Sequence, residues 1–77
     1  MALYYYYGTH RISRKTVRDF ILRDRQELLR RERWVKSHDA VNATCYRERV
    51  VISKTPLSEY DLIEMLRPVY EQGGNNE

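Results

Sequence analysis

Arginine and tyrosine are the side chains through which this chain is best equipped to act. Its 14 basic residues are three lysines and eleven arginines, and it has seven tyrosines. Guanidinium binds phosphate or carboxylate in a bidentate fork and stacks on aromatic rings, which an ammonium does poorly. Tyrosine and tryptophan supply large, partly apolar contact area, and with arginine they are the usual anchors of protein interfaces. The same residues suit stacking on bases and contact with phosphates. A bias toward arginine also arises from GC-rich coding.

Conventional catalytic chemistry has little to work with. The chain lacks a glycine-rich phosphate loop, an HExxH helix, an EF-hand loop and a GxSxG elbow. His10 and His38 have no second His or Cys at ligand spacing, and a zinc site needs several such ligands together. Cys45 is the single cysteine, which excludes an internal disulfide and reads as a small residue on a half-buried strand. No catalytic residue, metal ligand or cofactor is therefore assigned. A small RNA-cleaving toxin, which needs only His, Arg, Tyr and a carboxylate without a compact motif, stands third among the readings.

The charge is unevenly distributed. Residues 11–36 carry ten basic against four acidic side chains, a net of +6, while 56–77 carry one against five, a net of −4. The total of +3 hides this asymmetry, which matters more than the sum for choosing a partner.

Those side chains need elements to hold them. Leu3–Tyr7 reads as a first strand ending in a turn at Gly8, with Tyr4 and Tyr6 on one face and Leu3, Tyr5 and Tyr7 on the other. Ser13 caps a main helix whose core stripe is Val17, Ile21, Leu28 and Val35. At helical spacing Arg14, Arg18, Arg25 and Lys36 share a neighbouring face, flanked by Lys15 and Arg33 and interrupted by Leu22 and Leu29. Asp24 followed by Glu27 is a capping signal that bends or breaks this helix; the alternative is one long helix with an Asp24–Arg31 polar stitch. Thr44–Ser53 reads as one strand, with Tyr46, Val50 and Ile52 on one face and Cys45, Arg47, Arg49 and Val51 on the other.

The last helix is signposted by the Ser58–Asp61 capping box and a Leu57–Leu62 staple. Its apolar stripe is Leu62, Ile63, Leu66, Val69 and Tyr70, and Pro68 is expected to kink or end it. The order strand, helix, strand, helix predicts an α+β fold, a two-layer domain over residues 1–71 with both helices on one face and a flexible polar tail at 72–77. Two strands make a marginal sheet, so a third strand near 33–36 or Val41, or a second subunit in a homodimer, is expected to complete it.

The longest apolar run, Ala2–Tyr7, is far too short to span a bilayer, and no secretory leader is readable, so a cytoplasmic location without membrane contact is expected. The first functional expectation is a non-enzymatic binding protein, in style like those of phages and mobile elements, that inhibits or regulates a host protein or nucleoprotein complex. Its contact residues are Tyr4, Tyr5, Tyr6, Tyr7, Leu22, Leu29 and Trp34. The alternative is direct DNA or RNA binding through Arg14, Lys15, Arg18, Arg25, Arg33, Lys36, Arg47 and Arg49.

Overall fold

The computed structural model describes the backbone of residues 2–75 and side chains through Glu71. Strand β1 (Tyr4–Tyr7) turns back through Gly8 and Thr9 into β2 (His10–Ile12). Gly8 takes a positive φ of 59°, as the first central residue of a two-residue hairpin turn often does. A single turn of helix, α1 (Arg14–Thr16), runs into a π-helical segment (Val17–Leu22), and α2 (Arg25–Ser37) follows. A second hairpin, β3 (Ala43–Cys45) and β4 (Val50–Ser53), leads to α3 (Glu59–Asn75). The strands form one antiparallel sheet in the order β2-β1-β4-β3. The class is α+β.

Four strands come from one chain because both expected strands conceal or adjoin a hairpin. The expected Thr44–Ser53 strand is split by a turn in which Arg49 N–H donates to Tyr46 O at 2.8 Å and Tyr46 N–H to Val50 O at 2.9 Å. Arg49 sits in the left-handed region, φ 69°, where glycine is the usual occupant of such a three-residue loop. No glycine marks this turn, so the sequence reads as continuous strand. The third and fourth strands thus arise at His10–Ile12 and within 43–53, and no second subunit is needed to supply them. The tyrosine strand is consequently interior, flanked by β2 and β4, and offers no free edge for pairing with another chain.

Helices cover both faces of this sheet, which corrects the expectation of two layers with both helices on one side. Tyr5, Val50 and Ile52 project to one face and pack with Val17, Leu28 and Val35 of the π-helical segment and α2. Tyr6 and Val51 project to the other and pack with Leu62 and Leu66 of α3. All four residues of β4 are buried. A strand covered on both sides reads as a continuous apolar run, which Val50, Val51 and Ile52 are.

Local capping accounts for the helix boundaries. Ser13 Oγ accepts from Thr16 N–H at 3.1 Å and opens α1. The chain leaves the helical path at Arg23, whose φ is 56°, and Asp24 Oδ1 then accepts from the N–H groups of Gln26 and Glu27 at 3.0 and 3.2 Å to start α2. Asp24 makes no stitch to Arg31. Ser58 and Asp61 exchange two hydrogen bonds of 3.1 Å at the start of α3. Pro68 lies inside α3 without ending it. The side chains of the expected tail, 72–77, lie outside the described residues.

Candidate interaction surface

Two charge networks, one around the buried Glu32 and one half-exposed around Arg31, brace α2 and fix which of its cations face outward. Glu32, only 6% exposed, accepts from Arg14 Nε and Nη2 at 2.6 and 3.1 Å and from the Tyr5 hydroxyl. Burial pushes the Glu32 carboxyl up, but the hydrogen bonds from Arg14 and Tyr5 outweigh it and hold the group below its ordinary range. Burial and the adjacent Glu32 raise the Tyr5 phenol well above its ordinary value. A carboxylate this reluctant to take a proton and a phenol this reluctant to lose one are poor partners for acid–base catalysis near neutrality. They suit a structural brace between β1, α1 and α2.

The second network centres on Arg31. Its Nε donates to Glu27 at 2.6 Å, its two terminal nitrogens reach Glu48 at 3.2 and 3.0 Å, and its guanidinium lies 4.1 Å from the Tyr46 ring centroid. Arg30 pairs with Glu27 as well. This neutral cluster ties α2 to the turn between β3 and β4.

Next to it lies a hollow of about 330 Å³ between α2 and β3, lined by Glu27, Arg30, Arg31, Trp34, Thr44 and Tyr46. Trp34, 43% exposed, forms one wall and stacks on His38 with ring centroids 3.9 Å apart and planes 20° from parallel. His38 Nδ1 lies 2.7 Å from the Trp34 carbonyl oxygen, so this pair closes the end of α2. Thr44 Oγ1 is buried with no hydrogen-bond partner among the described residues. Arg31, Tyr46 and Thr44 were not among the expected contact residues; the long-range pairing of Arg31 with Glu48 that assembles them leaves no local sequence signal.

The expected contact residues are dispersed by the fold. Tyr5 and Tyr6 are buried, since they project into opposite cores, and this corrects their assignment as binding anchors. Tyr6 also has its hydroxyl occupied, accepting from Leu57 N–H at 2.9 Å. Tyr4 is half-buried beneath Arg11, whose guanidinium lies 4.8 Å from its ring, and Tyr7 is exposed. Leu22 and Leu29 are half-buried, Leu22 against the first core. Of the seven, Tyr7 and Trp34 alone are exposed, each to 43%.

The basic stripe is also divided, because the π-helical segment and the break at Arg23 end the constant angular step on which it rested. Arg14 is bound to Glu32; Lys15 and Arg18 both pair with Asp19 and hold its carboxyl down to about 2, Arg18 contributing most. Arg25, Arg33 and Lys36 on α2 are exposed and form no ion pair among the described residues, as is Arg47 in the β3–β4 turn. Arg49 is exposed with its guanidinium 4.9 Å from the Tyr70 ring.

Large apolar side chains also lie exposed elsewhere: Phe20, Tyr60, Ile63 and Tyr70. Ile63 and Tyr70 were expected on the core stripe of α3, but among the described residues Leu62 and Leu66 alone are fully buried there, because a single helix lying on a sheet face turns only a narrow seam toward it. Burial raises the Cys45 thiol above its ordinary value, away from nucleophilic chemistry at neutral pH. Among the described residues no cluster of three or more His, Cys, Asp or Glu is placed to hold a metal, and no helix is long and apolar enough to cross a membrane. Comparison with family models, curated proteins and solved structures finds no match for this chain.

Proposed function

We propose that this chain is a non-enzymatic binding protein that captures a protein or nucleoprotein complex and thereby inhibits or regulates it. The observation that carries this reading is the half-exposed Trp34, which walls the apolar hollow against Tyr46 beside the neutral Arg31 cluster. A tryptophan in a concave, charge-rimmed setting has the character of an interface anchor, since its burial by a partner removes a large apolar area from water without stranding an unpaired charge. Affinity capture from the native host, with and without nuclease, tests it. A partner retained by the wild-type chain after nuclease treatment and lost by Trp34→Ala supports protein capture; equal capture by both chains rejects it.

A second reading, direct DNA or RNA binding, is favoured by the exposed Arg25, Arg33, Lys36 and Arg47, which form no ion pair among the described residues. Phosphate-driven binding weakens steeply with salt, so titration of mixed oligonucleotides at low and high ionic strength separates the two.

A further inference from the structure

Strand β3 is at the edge of the sheet, and its pairing leaves a defined set of backbone groups facing outward. Thr44 lies opposite Ile52, Tyr46 N–H bonds to Val50 O and Lys54 N–H to Asn42 O, so the even-numbered residues carry the ladder to β4. By the alternation of an antiparallel ladder, the N–H and C=O groups of Ala43 and Cys45 point away from the sheet. Among the described residues they make no backbone hydrogen bond outside the sheet.

Both sides of this edge are hollow. The α2 side has the space walled by Trp34, Thr44 and Tyr46, where Arg30 and Arg31 are already matched by Glu27 and Glu48. On the α3 side a second hollow, of about 410 Å³, is lined by Asn42, Ala43, Leu57, Asp61, Glu64 and Met65. Asp61 and Glu64 lie in an acidic segment in which Arg67, paired to Glu64 at 2.9 Å, is the lone cation.

We propose that the outer edge of β3 docks an extended segment of a partner protein, which adds as a fifth strand and alternates apolar with cationic side chains. A strand projects successive side chains to opposite faces. The apolar ones enter the aromatic hollow beside Trp34, and the cationic ones reach Asp61 and Glu64. Main-chain pairing supplies affinity and the alternating hollows supply selectivity. A second copy of this chain fits less well. Two-fold pairing of β3 with itself sets the Asp61 and Glu64 of each copy on the same face across the new seam, where like charges repel. The inference rests on the protein-capture reading and specifies its partner.

The test uses the full chain, labelled with nitrogen-15, and an end-blocked octapeptide alternating lysine with valine and tryptophan. Its controls are an isomer with the lysines gathered at one end and a version N-methylated on alternate amides. Expected are saturable shifts and slowed hydrogen exchange at the Ala43 and Cys45 amides, with at least about tenfold weaker binding for each control. Charge reversal by Asp61→Lys with Glu64→Lys is expected to weaken the lysine peptide about tenfold and to favour a glutamate counterpart. Equal binding by the isomer or the methylated peptide overturns the proposal, as do shifts confined to other residues or no binding by about 1 mM peptide. A dimer in light scattering that protects the same two amides and resists the peptide assigns the edge to a second copy and also overturns it. Trp34-dependent capture from the host that survives these failures leaves the broader binding reading standing.

Discussion

Glu32 and Arg14 face each other across two hydrogen bonds of 2.6 and 3.1 Å, joining residues 18 apart in the chain, and the Tyr5 hydroxyl shares the same carboxylate. This brace makes stability depend on pH. Because the folded carboxyl is held below its ordinary 4.5, its contribution is present above that value and is lost as pH falls through the lower folded value. Tyr5 acts in the opposite sense: its folded value is raised above 10, so its contribution is complete below 10 and declines as pH rises beyond it. Urea midpoints measured across acid and alkaline pH should therefore fall at both ends. Glu32→Gln should flatten the acid limb and Tyr5→Phe the alkaline one. Arg14→Gln, which leaves a buried carboxylate with Tyr5 alone, should cost about 2 kcal/mol at neutral pH.

Trp34 and Leu28 stand on the same helix with opposite consequences. Leu28 is fully buried, so Leu28→Ala should destabilise by about 2–5 kcal/mol. Trp34→Ala should cost less than about 1.5 kcal/mol, since 43% of the residue is already in water. Thermal melts followed by circular dichroism check both, and establish that any loss of partner capture by the Trp34 variant is not loss of fold.

Capping is expected to matter at two independent sites. Asp24→Ala strips two accepted N–H bonds from the start of α2, and Ser58→Ala breaks the box that opens α3. Each should lower stability by about 1 kcal/mol, and the double variant by the sum, because the two caps share no partner. Denaturant titration reads the result directly; strong non-additivity would mean that the helices are coupled more tightly than through the sheet between them.

Left-handed backbone at Arg23 is a correctable cost. With φ at 56° and no ion pair among the described residues, Arg23→Gly should raise stability by about 0.5 kcal/mol, the relief of the left-handed conformation exceeding the greater entropy of unfolded glycine. Gly8→Ala, at φ 59°, should do the reverse and cost about 1 kcal/mol. Chevron or equilibrium unfolding distinguishes the two signs.

If nucleic acid is the partner, replacing Arg25, Arg33 and Lys36 together by glutamine should weaken oligonucleotide binding regardless of sequence. It should also reduce the slope of log affinity against log salt by up to about 3. Fluorescence anisotropy at several salt concentrations measures that slope.

Taken alone, the sequence determined the α+β class, the strand at the tyrosine run, the caps at Ser13 and Ser58, and the side-chain alternation that puts Val50 and Ile52 opposite Val51. These are local properties: a capping oxygen reaches an N–H three residues away, and strand period follows from backbone geometry. The hairpin at Tyr46–Arg49 was hidden because arginine occupies the left-handed position that glycine usually marks. The burial of Tyr5 and Tyr6 was decided by the tertiary structure, since only the arrival of α2 on one face and α3 on the other seals both sides of β1. Likewise, which arginines remain available depends on carboxylates far along the chain, Glu32 for Arg14 and Glu48 for Arg31, and no local periodicity encodes such pairings.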